Sequence, residues 1–151
     1  MDRAEELRYL ILAIQREGNR QLTEVLRAVN LTASQAEVML VLHQYQPMTL
    51  VELGERLVCE AGSPSRLVKT MAEAGWIEKL PNQKDGRAVL LHLTPAANAI
   101  LPALNQINQQ FNASIADAFG DDAIGILLEH LWPFAHGTNS GQALLRRKLN
   151  Q

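Results

Sequence analysis

The sequence predicts a mainly α-helical fold carrying one small β-hairpin, on three observations. Apolar residues recur at helical spacing towards both ends of the chain, and helix-start signals stand at Thr32, Thr49, Ser63 and Thr94. Only between Trp76 and Leu93 does the apolar period shorten to about two. The composition agrees with an ordinary folded domain: 151 residues, 47% hydrophobic and 20% charged. No apolar run approaches the ~18 residues needed to span a membrane. The opening Met1-Asp2-Arg3-Ala4-Glu5-Glu6 lacks the basic and apolar regions of a secretory signal, so a cytoplasmic location without membrane attachment is expected. A lone cysteine, Cys59, excludes an internal disulfide and suits a reducing compartment.

Taken in order, Leu7, Leu10, Ile14, Leu22, Val25 and Val29 form the apolar face of a long first helix, loosened at Gly18. Thr32-Ala33-Ser34-Gln35 has the form of a capping box, with Leu31 and Ala36 at the staple positions, and starts a helix that reaches about His43. Thr49-Leu50-Val51-Glu52 repeats the signal with Met48 and Leu53, opening a short helix with Leu50, Leu53 and Leu57 inside. After a turn at Cys59-Glu60-Ala61-Gly62, Ser63-Pro64 reads as an N-cap with proline at the first helical position. Leu67, Val68 and Met71 mark the inner face of that helix, and Gly75 ends it.

From Trp76 the pattern becomes strand-like, with Ile77 on one side and Val89, Leu91 and Leu93 on the other, around a polar tip whose Asp85-Gly86 pair signals a hairpin. Thr94-Pro95 then begins a long helix whose Ile100, Leu104, Ile107, Phe111, Ile115 and Phe119 recur at spacings of three or four; Pro102 is expected to bend it. A last helix is expected near 123–132, followed by an irregular stretch over 132–141 and a short basic end.

Three short helices followed at once by a hairpin is the order of a winged helix-turn-helix, here over residues 32–93 of a single integrated domain spanning 1–151. Segments 1–30 and 95–151 supply long helical flanks, whose apolar stripes predict a homodimer because they exceed what the central lobe can cover. On the helix that begins at Pro64, Arg66, Lys69 and Glu73 share one face, with Ser63, Ser65 and Thr70 beside it. These are donors and acceptors suited to phosphates and base edges, arginine being the usual reader of guanine. The hairpin tip adds Lys84 and Arg87, cations suited to the negative potential of a narrow minor groove. The helix alone reads better as the solvated side of an amphipathic helix, and the tip alone as an ordinary solvated turn; together they favour double-stranded DNA. The overall charge does not help, since the chain carries a formal charge of −2.

Over roughly residues 31–95 the sequence resembles the MarR family of transcriptional regulators. The resemblance runs through Leu31-Thr32-Ala33-Ser34-Gln35 and Thr49-Leu50-Val51-Glu52-Leu53-Gly54 to Ser63-Pro64-Ser65-Arg66-Leu67-Val68-Lys69. It is tightest at Gly75-Trp76-Ile77-Glu78-Lys79-Leu80-Pro81 and the Asp85-Gly86-Arg87 wing. What it implies is a dimer placing one winged helix per subunit on a palindromic operator, acting as a repressor released by a small aromatic or phenolic effector. It also implies that Asp85 sets the wing and Arg87 enters the minor groove. Gly86 departs from the family pattern, in which an arginine is common there. The competing expectation is a winged-helix module for protein contact with little DNA affinity, favoured by the low charge and Gly86 and opposed by Arg66, Lys69, Lys84 and Arg87.

No catalytic set emerges, so an enzyme is not expected. His43, His92, His130 and His136 lack the spacing of a metal site, and no cofactor is called for. Cys59 reads as structural, although a nearby helix N-terminus could lower its pKa. For an effector, Tyr9, Arg16, His43 and Tyr45 are the candidate lining residues, because an aromatic ring or cation near the junction of flank and winged helix suits an organic anion.

Overall fold

The computed structural model describes residues 1–59 and 62–149, so Glu60 and Ala61 of the expected turn lie outside the described residues. Helix α1 runs Arg3–Leu26, capped by Asp2, whose carboxylate accepts the Glu5 N–H at 2.8 Å. It is continuous through Gly18, contrary to the loosening expected there. A 3₁₀ turn, Arg27–Val29, and the left-handed Asn30 (φ 55°) then turn the chain into α2, Ala33–Tyr45. Thr32 and Gln35 close the capping box in both directions, at 3.2 and 3.0 Å, and the helix runs two residues past His43.

Helix α2 is the centre of the molecule, with Ala36, Val38, Met39, Val41 and Leu42 all buried. It lacks a polar stripe because neighbours cover it on most sides. Short α3, Leu50–Gly54, starts on the second capping box, whose Thr49 N–H donates to the Glu52 carboxylate at 2.7 Å. That bond and the Thr49 hydroxyl hold the Glu52 carboxyl below its ordinary pKa. Helix α4, Pro64–Glu73, buries Val68 and Met71. It ends at Gly75, whose φ of +81° is a conformation side-chain-bearing residues rarely adopt, and the Trp76 N–H reaches back to the Met71 carbonyl at 2.9 Å.

Strands β1, Ile77–Pro81, and β2, Val89–Leu93, pair antiparallel from Ile77↔Leu93 to Pro81↔Val89. Ile77, Leu91 and Leu93 are buried, whereas Val89 lies at the loop end of the ribbon and is exposed. The hairpin is closed by the loop 82–88 rather than by a tight two-residue turn: Gly86 does not adopt positive φ, and the last turn is made by the Ala88 N–H on the Asp85 carbonyl at 3.0 Å.

Helix α5, Pro95–Phe119, stays continuous through the exposed Pro102 and buries Ala97, Leu101 and Leu104 against the α2 side of the core. Further along α5 the apolar stripe emerges, leaving Ile115 and Phe119 exposed. The chain's end departs most from expectation. Helix α6 spans Asp121–Ala135, continuing through Pro133, and the stretch expected to be irregular leads into a further helix, α7, Asn139–Lys148. Its start was hidden in a polar run: Thr138 caps it by accepting the Gly141 N–H at 3.0 Å. No single described helix is long and apolar enough to cross a membrane.

Candidate nucleic-acid interface

The base of the hairpin is fixed to the end of α4. The Thr94 hydroxyl donates to the Gly75 carbonyl at 2.6 Å, and the Thr94 N–H donates to the Trp76 carbonyl at 3.1 Å. The middle of β2 is tied to the corner between α2 and α3. Leu91 N–H reaches the Met48 carbonyl at 2.8 Å, and Leu93 N–H reaches the Gln46 side-chain oxygen at 2.9 Å. Helix α4 and the wing therefore hang from one hydrogen-bonded frame, so their relative placement is set before any ligand arrives.

On α4 the sequence-predicted residues divide by what their polar atoms already do. The Ser63 hydroxyl accepts the Arg66 N–H at 3.3 Å and lies 2.8 Å from the Ser65 hydroxyl, so both serines work for the helix start. The Thr70 hydroxyl donates to the Arg66 carbonyl at 3.0 Å. Lys69 stands 4.0 Å from Glu73, a pair in which both side chains are largely exposed; such a pair contributes little and a polyanion displaces it easily. The Arg66 guanidinium is exposed and has no hydrogen bond or ion pair among the described residues.

At the wing, the Asp85 carboxylate accepts the Arg87 N–H at 3.0 Å, and the Asn82 side chain accepts the Lys84 N–H at 3.0 Å. These two side-chain turns add to the backbone bonds from Asn82 N–H to the Ala88 carbonyl and from Ala88 N–H to the Asp85 carbonyl in giving the loop a defined shape. They leave the Lys84 and Arg87 side chains exposed and without partners among the described residues. Asn82 and Gln46 were not picked out from the sequence. Asn82 carries a weak signal, an Asx residue two positions before Lys84, but the pairing of Gln46 with Leu93 across 47 residues carries none.

The four candidate effector residues are not brought together. His43 and Tyr45 line an open hollow with Leu40, Asn105, Asn108 and Arg147, and neither Tyr9 nor Arg16 joins them. Tyr9 is exposed on the first half of α1, with the Arg8 guanidinium 4.2 Å from its ring centre. Tyr45 is engaged instead, donating its hydroxyl to the Arg147 carbonyl at 2.9 Å. A smaller apolar cavity of about 180 Å³ lies deeper among α1, α2, α5 and α7, lined by Leu22, Leu26, Leu40, Leu104 and Ile107, with the paired Glu37 and Arg147 at its polar side.

Cys59 is not activated. Although the residue keeps a solvent-facing edge, loss of hydration and then the neighbouring Glu37 carboxylate push its thiol up from 9.0 to about 11, the reverse of what a helix N-terminus would do. Among the described residues no group of His, Cys, Asp and Glu is arranged to hold a metal ion.

Comparison with known proteins places this geometry. Residues 31–97 match the winged helix DNA-binding domain family. The multiple antibiotic resistance protein MarR of Salmonella typhimurium is 34% identical over 97 residues, covering 64% of this chain and 67% of that protein. Its Escherichia coli counterpart is 33% identical over 98 residues, covering 65% and 68%. Among solved structures, a mutant MarR from E. coli complexed with operator DNA superposes with a TM-score of 0.76 at 29% identity, over 87% of this chain and 96% of that one. With the winged helix, its helical flanks and these relatives taken together, the chain belongs to the MarR family of transcriptional regulators.

Proposed function

We propose that this regulator is a cytoplasmic repressor that binds a palindromic operator as a homodimer and is released by a small aromatic or phenolic effector. The observation that carries the DNA part is the presentation of Arg66, Lys84 and Arg87, exposed and without partners among the described residues, from two elements of one hydrogen-bonded frame. In this reading α4 enters the major groove. Arg66 and Lys69 address base edges and phosphates, Ser63, Ser65 and Thr70 flank the phosphate backbone, and the wing held by Asp85 delivers Lys84 and Arg87 to the neighbouring minor groove. The operator-bound E. coli relative supports it.

Dimerisation rests on apolar surface that one chain leaves open. Leu7, Leu10 and Ile14 on α1, Phe119 on α5, and Leu131 and Phe134 on α6 are exposed, Phe134 to 82%. Monomers rarely expose apolar patches beyond a few hundred Å². We assign residues 1–30 and 95–151 to the dimer lobe and 32–93 to the DNA-binding lobe. The cavity beside the Glu37–Arg147 pair is the seat we assign to an effector, since its apolar wall suits an aromatic ring and Asn108 and the ion pair give it a polar side.

The test is selection of duplexes from a random library by the purified protein, followed by footprinting and a salt titration. Enrichment of an inverted repeat with half-sites about one helical turn apart, bound with steep salt dependence, is the expected result. A protein that enriches no sequence and shows no salt-dependent binding is not a DNA-binding repressor, and a winged helix used for protein contact would then stand in its place.

A further inference from the structure

We infer that Glu37 and Arg147 are positioning residues for DNA binding, a pair through which the C-terminal helix α7 holds the segment leading into α4. The inference rests on the DNA-binding reading above.

Glu37 sits on the central helix α2 and is 8% exposed, the one buried charged residue among the described residues. Its carboxylate accepts the backbone N–H of Val58 at 2.8 Å and of Cys59 at 2.7 Å, and also takes an Nη2 hydrogen bond from Arg147. Arg147 in turn donates Nε to the Arg56 carbonyl at 2.7 Å. The Ser34 hydroxyl donates to the Cys59 carbonyl at 3.1 Å. Residues 56–59 are thus gripped on two sides, by α7 at a carbonyl and by α2 at two N–H groups. Beside Arg147, Arg146 lies 3.5 Å from Glu55 and ties α7 to the end of α3 as well. Cys59 stands four positions before Ser63, the cap of α4.

A buried carboxylate holding two backbone donors needs a counter-charge, and here that charge comes from another part of the chain, 110 residues away. Without Arg147 the carboxylate recruits water or swings away, and the Val58 and Cys59 N–H groups lose their acceptor. Residues 56–59 then have several arrangements instead of one. Helix α7 belongs to the helical flank, so its docking is read at residues 56–59, which end four positions before Ser63, the cap of the DNA-binding helix.

The test combines hydrogen exchange with DNA binding, using Arg147→Gln and Arg147→Lys in the full chain. The probe is the duplex most enriched by the wild-type protein from a random library. Measurements are made well below each variant's melting transition, so global unfolding does not contribute. For Arg147→Gln, exchange at the Val58 and Cys59 amides accelerates at least about tenfold and affinity falls about tenfold. The slope of log affinity against log salt stays unchanged, because no phosphate contact has been removed. Arg147→Lys keeps the charge but lacks the fork that reaches Glu37 and the Arg56 carbonyl together, so it lies between wild type and Arg147→Gln.

Unchanged exchange at the two amides overturns the inference, as does faster exchange with unchanged affinity. A lower salt slope also overturns it, since Arg147 would then touch phosphate directly. If Arg147→Gln does not fold, Arg147→Lys carries the test alone: partial loss at the same amides and in affinity supports the inference, and identity with wild type overturns it. A wild-type protein that enriches no duplex overturns the DNA-binding reading as well as this one.

Discussion

Glycine at 141 offers a test in which local propensity and tertiary packing predict opposite signs. Gly141 lies in the first turn of α7, where replacing glycine by alanine would ordinarily stabilise a helix by up to about 1 kcal/mol. Packing forbids that gain, because a Cβ built on Gly141 would sit 1.9 Å from the carbonyl oxygen of Ala135 and 2.6 Å from its carbon. Both are backbone atoms at the end of α6, so no side-chain rotation relieves the overlap. Restoring ordinary contact requires α7 to retreat from α6 by about 1.5 Å, overpacking of the kind that costs about 1–3 kcal/mol. The same movement stretches the bonds by which the Thr138 hydroxyl and N–H donate to that same Ala135 carbonyl, now 2.8 and 2.9 Å, a loss of about 1 kcal/mol. Against the propensity gain, the net loss for Gly141→Ala is about 2 kcal/mol, a fall in Tm of roughly 4–8 °C for a chain of this size.

Gly125, in the middle of α6, has nothing within 4 Å of its built Cβ. There the same substitution should raise Tm by roughly 2–4 °C. Thermal denaturation followed by circular dichroism decides the matter, at one fixed protein concentration because the Tm of the proposed dimer would depend on concentration. A Gly141→Ala protein that melts at or above the wild-type temperature would refute the packing argument and, with it, the account of how α7 is seated.

Other predictions concern the interface, the thiol and the dimer. Arg87→Ala should weaken binding to many sequences alike and lower the salt slope by about one, whereas Arg66→Ala should cost about 1–3 kcal/mol and relax preference at one base pair; anisotropy titrations on a mutated operator panel separate the two patterns. Cys59, with its thiol near 11, should react with iodoacetamide far more slowly in the native protein than after unfolding, and equal rates would contradict the placement beside Glu37. Because folding raises this pKa, the thiol's contribution to stability is complete below pH 9.0 and fades as pH rises towards about 11, which denaturant titrations at successive pH values would reveal. Replacing Leu131 or Phe134 by aspartate should give monomers by sedimentation and abolish tight operator binding; a dimer that survives both changes would place the subunit interface elsewhere.

How much of this was legible beforehand depends on the range of the interactions involved. Both capping boxes, the proline-led starts of α4 and α5 and the glycine stop at Gly75 were readable, because each is made between residues no more than about five apart. The free cations were readable too, since an exposed arginine on a helix opposite buried Val68 and Met71 follows from helical period alone. The end of the chain misled for a local reason: Pro133, Gly137 and Gly141 look like breakers, yet Pro133 sits within α6, and Gly141 is required by close packing.

The sequence by itself determined the order of the elements as far as α5, the helix starts at Thr32, Thr49, Ser63 and Thr94, and the family to which they belong, since those depend on nearest neighbours along the chain. Tertiary structure alone decided which polar groups were already in use. It committed Tyr45 to Arg147, set Glu37 beneath Cys59 and raised the thiol it was expected to leave alone or activate. A glutamate in the apolar run from Ala36 to Leu42 announces that a buried charge needs a partner. Nothing in the local pattern says that the partner is Arg147, because that choice is made by two helices meeting in space, and the energy of a buried pair depends on that meeting rather than on distance along the chain.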